Sequence, residues 1–502
     1  MLLHERDIRR IVEQVIVDEE DSRDTMTMRR RDRTRPASGG SGALDGAGPT
    51  RLRGHRTPEE AEKGIYSTID DAVAHAARAS AALPELPLSK RDEIIGLMRE
   101  AVLRNLDRLA EMACHETGMG RVEDKVIKNR LVAEKTPGTE DLTTWAKSGD
   151  CGISLEELAP YGVIGAIIPS TNPTETVVNN GISMFAAGNT VVFNPHPAAA
   201  RCSLFAIRLL NGVVEAAGGP SDCFTAVESP SIETAESLMR HADVPVLVVT
   251  GSEGVVKAAM HSGKRVIAAG PGNPPAVVDD SAYIAQAAKS IVSGGAFDNN
   301  IVCIAEKVTI VVDSVAENLL AAMEHAGAYR ASRRETGRLV DAAFVEPVKP
   351  NRQTPVRREL IGKSAAHILG DIGVSADHDP RLITCEVPLD HAFAWTEMLM
   401  PIMPVVRVPD VDSAIAYAVQ IEQGCRHTAT MHSRYIDKLT EMGRRINCSL
   451  YVKNGPSFAG LGLGGEGHTS FTIASPTGEG LTTARTFTRR RRCSLVGDYS
   501  II

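Results

Sequence analysis

One thiol stands out by its surroundings. The segment Ser293-Gly294-Gly295-Ala296-Phe297-Asp298-Asn299-Asn300-Ile301-Val302-Cys303-Ile304-Ala305-Glu306-Lys307 puts Cys303 after a Gly-rich turn and two asparagines. That is an irregular stretch leading into a β-branched run at 308–312. A nucleophilic thiol needs access, and local donors help hold it as thiolate. The competing reading, an inert buried cysteine, fits Cys114, Cys202, Cys223 and Cys448, which lie in apolar or helical runs. A second polar group follows an apolar strand, in Ile168-Pro169-Ser170-Thr171-Asn172-Pro173. Asn172 can offer a side-chain N–H to an oxyanion, or it can simply form a turn. The third candidate is Thr250-Gly251-Ser252-Glu253, where a strand, a tight turn and a helix start aim backbone N–H groups at a phosphate. No G-x-G-x-x-G marks that turn, so a plain strand-to-helix connection would look similar. No His/Cys cluster has ligand spacing, and no metal is expected.

These residues need a frame. Helices are predicted over 69–83, 90–117, 198–217 and 232–241, alternating with short β-branched runs at 162–168, 190–193, 245–250 and 265–268. The alternation predicts a parallel, doubly wound α/β sheet, whose ligands bind at the carboxyl ends of the strands. Runs at 276–278, 308–312, 387–389 and 404–408 predict a second α/β domain. Ahead of this body, Ile8, Ile11, Val12, Val15 and Ile16 repeat at helical spacing within residues 1–20. Residues 21–56 are nearly devoid of apolar side chains and read as a disordered linker. An amphipathic helix on such a tether predicts a docking peptide.

Composition excludes more than it names. The 502 residues carry 63 Asp+Glu against 55 Lys+Arg, a net charge of −8, which argues against nucleic acid as a general partner. No run approaches the roughly 20 apolar residues of a membrane span. Nine cysteines in a chain this long are too sparse and too odd in number for a disulfide scaffold, so reduced thiols in a cytoplasm-like compartment are expected.

Together the motifs resemble the aldehyde dehydrogenase superfamily, and within it the CoA-acylating acetaldehyde/propionaldehyde branch of bacterial microcompartments. The matching strings are Pro169-Ser170-Thr171-Asn172-Pro173-Thr174, Asn194-Pro195-His196-Pro197, Gly270-Pro271-Gly272-Asn273-Pro274-Pro275, Phe297-Asp298-Asn299-Asn300 with Cys303, Arg426-His427-Thr428-Ala429 and Thr486-Phe487-Thr488-Arg489. The resemblance implies an α/β fold with a Rossmann-like NAD-binding domain over 57–270, carrying an arm segment near 150–160. It further implies an α/β catalytic domain over 271–450, then a return segment and β oligomerisation arm over 451–502. Residues 1–20 resemble an encapsulation peptide that would bind a shell protein and place the enzyme in a cytoplasmic microcompartment. By the same resemblance Cys303 is the nucleophile and Asn172 the oxyanion amide, beside the backbone N–H of Cys303. Gly251 and Ser252 face the NAD pyrophosphate and Glu397 the nicotinamide-side ribose, with Ser170, Thr171 and Pro195 also lining the cofactor site.

Two departures from the hydrolytic members are informative. Those enzymes carry a Glu before a Gly-Gly pair to activate water, whereas this chain reads Ala268-Ala269-Gly270-Pro271-Gly272, with no carboxylate between Glu253 and Asp279. A thioacyl-enzyme without that base should survive until the thiol of coenzyme A arrives. Asn194-Pro195-His196 also stands where hydrolytic members present a Lys. The expected reaction is NAD-dependent oxidation of propanal or acetaldehyde to the acyl-CoA in a homo-oligomer. The alternatives are a hydrolytic aldehyde or semialdehyde dehydrogenase and an inactive shell-associated protein. His427 and His196 are weighed as helpers of CoA deprotonation and read as structural or surface residues. Arg489–Arg492 is read as part of a strand rather than a nucleic-acid patch.

Overall fold

The computed structural model describes residues 64–497, so the helix expected at 1–20 and the linker expected at 21–56 lie outside the described residues. Two parallel sheets dominate. The first has six strands in the spatial order Ile65–Tyr66, Phe224–Val227, Thr190–Pro195, Val163–Ile168, Val246–Thr250 and Arg265–Ala269. Starting from Val163–Ile168, the chain builds outward on one side and then returns to build on the other. The order therefore reverses between Val163–Ile168 and Val246–Thr250, and in open α/β sheets ligands bind outside the carboxyl ends at such a reversal. Val163–Ile168 and Thr190–Pro195 are buried along their whole length, which is why they read as continuous apolar runs.

The second sheet has seven strands, ordered Ala328–Ala331, Leu382–Glu386, Ile402–Val408, Val308–Val312, Pro275–Val278, Thr428–His432 and Leu450–Lys453. Each sheet has its own core. Phe185, Phe193, Phe205 and Phe224 anchor the first, joined by Ile473 and Phe487 from the far end of the chain. Val277, Ile310, Ile383 and Val406 lie in the second. Phe297, Val302 and Ile304 pack into the first core, while Val308 and Ile310 belong to the second. Cys303 thus sits where the chain crosses between cores. Two buried aliphatic neighbours, each contributing about 1.5–3 kcal/mol through its burial, pin the backbone on either side of it.

A third, antiparallel sheet stands apart: Thr488–Val496 pairs with Gly152–Pro160, which pairs with Trp145–Gly149. Arg489–Arg492 lie in that outer strand, exposed, and Arg492 pairs with Glu156.

Three expectations need correction. The run at 90–117 is two helices, Leu88–Arg104 and Leu106–Thr117. Asn105 breaks it, because its side-chain amide donates to the Ala101 carbonyl and competes with the helical backbone. The strand expected at 387–389 lies earlier, at Leu382–Glu386, since Pro388 has no N–H to give a ladder. Finally, Cys202 and Cys223 are buried, but Cys114 and Cys448 are only partly so.

Candidate active site

The loop before Cys303 is held in a conformation few side chains tolerate. Asp298, Asn299 and Asn300 take successive left-handed φ values of 49°, 53° and 67°. Asp and Asn are the non-glycine residues best suited to that region, yet each such residue still costs of order 1–3 kcal/mol. Side-chain bonds offset the strain at all three positions. Asn299 Nδ2 donates to the Gly362 carbonyl at 2.8 Å, and Asn300 Nδ2 donates to the carbonyls of Gly295 at 2.7 Å and Glu306 at 3.0 Å. Asp298 accepts from the Arg121 backbone N–H at 2.7 Å. Gly120 permits that approach, because a Cβ there would lie 2.2 Å from Asp298 Oδ1. Lys307 closes the loop from below, donating to the carbonyl and amide oxygens of Asn300, both at 2.7 Å, and to the Val302 carbonyl at 3.2 Å.

Asp298 also reaches into a fully buried charge cluster. Its Oδ2 lies 3.0 Å from Lys125 Nζ and 2.6 Å from Lys128 Nζ. Lys128 Nζ additionally sits 3.0 Å from Glu175 Oε1 and donates to Asn172 Oδ1 at 2.6 Å. Two ammonium groups therefore balance two carboxylates, all four side chains being 0% exposed. Burial alone would discharge Lys128, but Asp298 and Glu175 hold its pKa above the ordinary lysine range. Asn172 is the N-terminal cap residue of helix Pro173–Ala186, yet its side chain makes no cap bond. A lysine can only donate, so the amide oxygen must face Lys128 and the NH2 must face away. One of its protons goes to Thr171 Oγ1 at 3.2 Å.

Around the thiol the electrostatics are mixed. Cys303 is partly exposed. Burial pushes its pKa up to about 12 and Glu397 adds to that, while Lys307, its own backbone N–H and Lys128 pull the other way. Burial raises Glu397 to about 7, against Lys307 and the Gly272 N–H, which both favour its charged form. Burial likewise lowers Lys307 to about 8. His427 is buried behind Gly272, where a Cβ would meet its ring at 2.9 Å. Burial keeps this imidazole neutral, with a pKa near 4, and its Nε2 has no partner among the described residues. His196 is exposed and accepts from the Ala198 N–H, as a surface turn residue would.

The structure thus gathers Cys303, Asn172 and Glu397 around Lys128 and Lys307. Of the expected cofactor residues, Gly251, Ser252, Ser170, Thr171 and Pro195 lie at the carboxyl ends of strands of the first sheet. Gly251 and Ser252 precede helix Glu253–Met260, and Ser252 makes no side-chain cap bond, so the first helical N–H groups have no local side-chain acceptor from it. Pro195 is buried at the end of its strand, level with Ile168. Ser170 and Thr171 are half-buried, and the Thr171 carbonyl accepts from Lys125 at 3.2 Å. An uncapped helix start at a sheet reversal, with a half-buried carboxylate at Glu397, fits a dinucleotide. The sequence reading missed Lys125, Lys128, Glu175, Asp298 and Lys307. A signal existed for two of them: Lys125 and Lys128 repeat at i, i+3 on one helix face, a pattern that otherwise means a solvated surface.

Comparison with known proteins identifies the family. Residues 58–479 match the model of the aldehyde dehydrogenase family. The acetaldehyde dehydrogenase (acetylating) EutE of Salmonella typhimurium is 50% identical over 442 residues, 88% of this chain and 94% of that protein. A crystal structure of Rhodopseudomonas palustris propionaldehyde dehydrogenase, with bound CoA and an acylated cysteine, superposes with a TM-score of 0.84 at 47% identity, covering 86% of this chain and 98% of that one. A propionaldehyde dehydrogenase from the Clostridium phytofermentans fucose utilisation microcompartment gives a TM-score of 0.85 at 43% identity, covering 88% and 100%. The chain belongs to the aldehyde dehydrogenase family.

Proposed function

We propose that this protein oxidises a short-chain aldehyde, propanal or acetaldehyde, with NAD and passes the acyl group to coenzyme A. The observation that carries the reading is a partly exposed thiol, on a loop locked by its own side chains, sharing a charge cluster with an amide whose oxygen is already engaged. Cys303 gives its proton to solvent, its sulfur bonds to the carbonyl carbon, and the carbonyl electron pair moves onto oxygen. The second Asn172 Nδ2 proton and the backbone N–H of Cys303 hold that oxyanion, work that preorganised donors do at little reorganisation cost. Lys307 keeps the Cys303 loop in place through Asn300 and Val302. Backbone N–H groups after Gly251 and Ser252 would hold the NAD pyrophosphate and Glu397 a ribose, with Ser170, Thr171 and Pro195 at the neighbouring strand ends. When bound, NAD supplies the hydride acceptor.

The resulting thioester meets no carboxylate between Glu253 and Asp279. Slow hydrolysis leaves it for the thiol of CoA: a new sulfur–acyl bond forms on CoA, the Cys303–acyl bond breaks, and the CoA thiol proton goes to the departing Cys303 sulfur. The reading extends to a homo-oligomer joined through the antiparallel arm, whose outer edge exposes Leu495 and Val496. It also extends to residues 1–20 as a shell-binding peptide in a cytoplasmic microcompartment, which the microcompartment origin of one relative supports. Intact-mass measurement after adding aldehyde and NAD without CoA should find one acyl group on Cys303, cleared when CoA is added. NADH formation that runs equally fast without CoA would instead indicate a hydrolytic enzyme, and none at all an inactive shell-associated protein.

A further inference from the structure

We propose that Lys128 is a positioning residue for acyl-enzyme formation, acting through Asn172. This rests on Asn172 being the oxyanion amide. Three oxygens surround one cation: Lys128 Nζ donates to Asn172 Oδ1 at 2.6 Å and forms ion pairs with Asp298 Oδ2 at 2.6 Å and Glu175 Oε1 at 3.0 Å. The two carboxylates keep it charged and fix its direction, so the amide oxygen always sees a full cation. Lys128 and Asn172 are 0% and 6% exposed, and no bulk water competes for this contact.

Two consequences follow for the amide. Orientation comes first, because a donor-only partner on Oδ1 forbids the flipped rotamer that would put oxygen toward the aldehyde. Polarisation comes second. A cation on the oxygen draws electron density out of the amide nitrogen, and hydrogen bonds in series strengthen one another where the dielectric is low. Nδ2 is then a better donor to an oxyanion than a free asparagine amide. A neutral aldehyde oxygen draws on this far less than the oxyanion does, so the gain falls on the chemical step rather than on substrate binding.

Cys303 belongs to the same device through Asp298. The carboxylate that orients Lys128 belongs to the first of three left-handed residues leading to the thiol. One side chain therefore registers the nucleophile loop against the oxyanion amide, although the two come from different sheets.

The test is single-turnover NADH formation with propanal and NAD in the absence of CoA, on the full-length enzyme. Lys128→Met should slow this burst roughly 10–100-fold, below the ~10²–10³-fold expected for losing an oxyanion donor outright in Asn172→Ala. The KM for aldehyde should stay within about threefold. Lys128→Met leaves surplus negative charge in the core, so Lys128→Met/Glu175→Gln, which restores neutrality, is measured beside it. That variant should show the same slowing with a thermal midpoint nearer the wild type. In an Asn172→Ala background, Lys128→Met should cost less than about threefold more. A wild-type burst rate in the charge-balanced variant, or full multiplication of the two losses, overturns the role given to Lys128. Asn172→Ala with an undiminished burst would instead remove the oxyanion assignment on which it rests.

Discussion

Replacing Asp298 by Asn isolates one quantity, the charge at the centre of the buried cluster. Asparagine tolerates the left-handed backbone as well as aspartate does, so the φ of 49° adds no new strain. The side chain is nearly the same size and keeps an oxygen for the Arg121 N–H. What disappears is the negative charge facing Lys125 and Lys128, which leaves two ammonium groups and one carboxylate, Glu175, with no access to water. Removing one partner of a buried ion pair costs about 3–5 kcal/mol, because the remaining charge stays desolvated. For a chain of this length the unfolding entropy is about 1 kcal/mol per kelvin, so the expected fall in Tm is about 3–5 °C. Scanning calorimetry at constant buffer and salt measures it. Adding Lys125→Met, which removes the surplus cation, should recover most of the loss although it deletes another hydrogen bond. A single variant within 1 °C of wild type, or a double variant less stable than the single one, would refute the charge-balance argument.

The remaining expectations are shorter. Cys303→Ala should abolish both NADH formation and the acyl adduct while leaving Tm within about 2 °C, as read by absorbance, intact mass and calorimetry. Burial raises the Glu306 carboxyl to about 7 in the folded protein, although Ser457 donates to it through both N–H and Oγ. The folded state therefore holds a proton that the unfolded chain has lost, and stability should fall as pH rises from about 4.5 to 7, by up to ~3 kcal/mol. Glu306→Gln should lessen the slope of that part of a denaturation-midpoint-against-pH curve, Glu397 keeping a share of the same sign, and an unchanged slope would count against it. Gly120→Ala should slow the acyl-enzyme burst at least tenfold, since its Cβ would push Asp298 Oδ1 from 2.2 Å; single-turnover kinetics read this directly.

How much could be read in the sequence differs between fold and site. Strands such as Val163–Ile168 and Val308–Val312 were legible because parallel strands buried on both faces are continuous apolar runs. The turns at Ser170–Asn172 and Gly251–Ser252 were legible for a related reason: polar residues placed directly after such runs mark strand ends. Elements that depend on competition between neighbours were not, as the helix broken by Asn105 shows.

The charge cluster escaped because lysines on a helix normally denote a wet face. Nothing local in Val122–Lys135 says that Lys125 and Lys128 point inward. That depends on Asp298 and Glu175, which lie 173 and 47 positions further along the chain from Lys125 and Lys128 respectively. By itself the sequence determined the alternation of strands and helices and singled out Cys303 and Asn172 as candidates, since apolar periodicity and side-chain chemistry are local properties. Only the tertiary structure decided which charges balance in the core and which way the Asn172 amide faces. Those outcomes depend on distance and desolvation, and residues far apart in sequence set both.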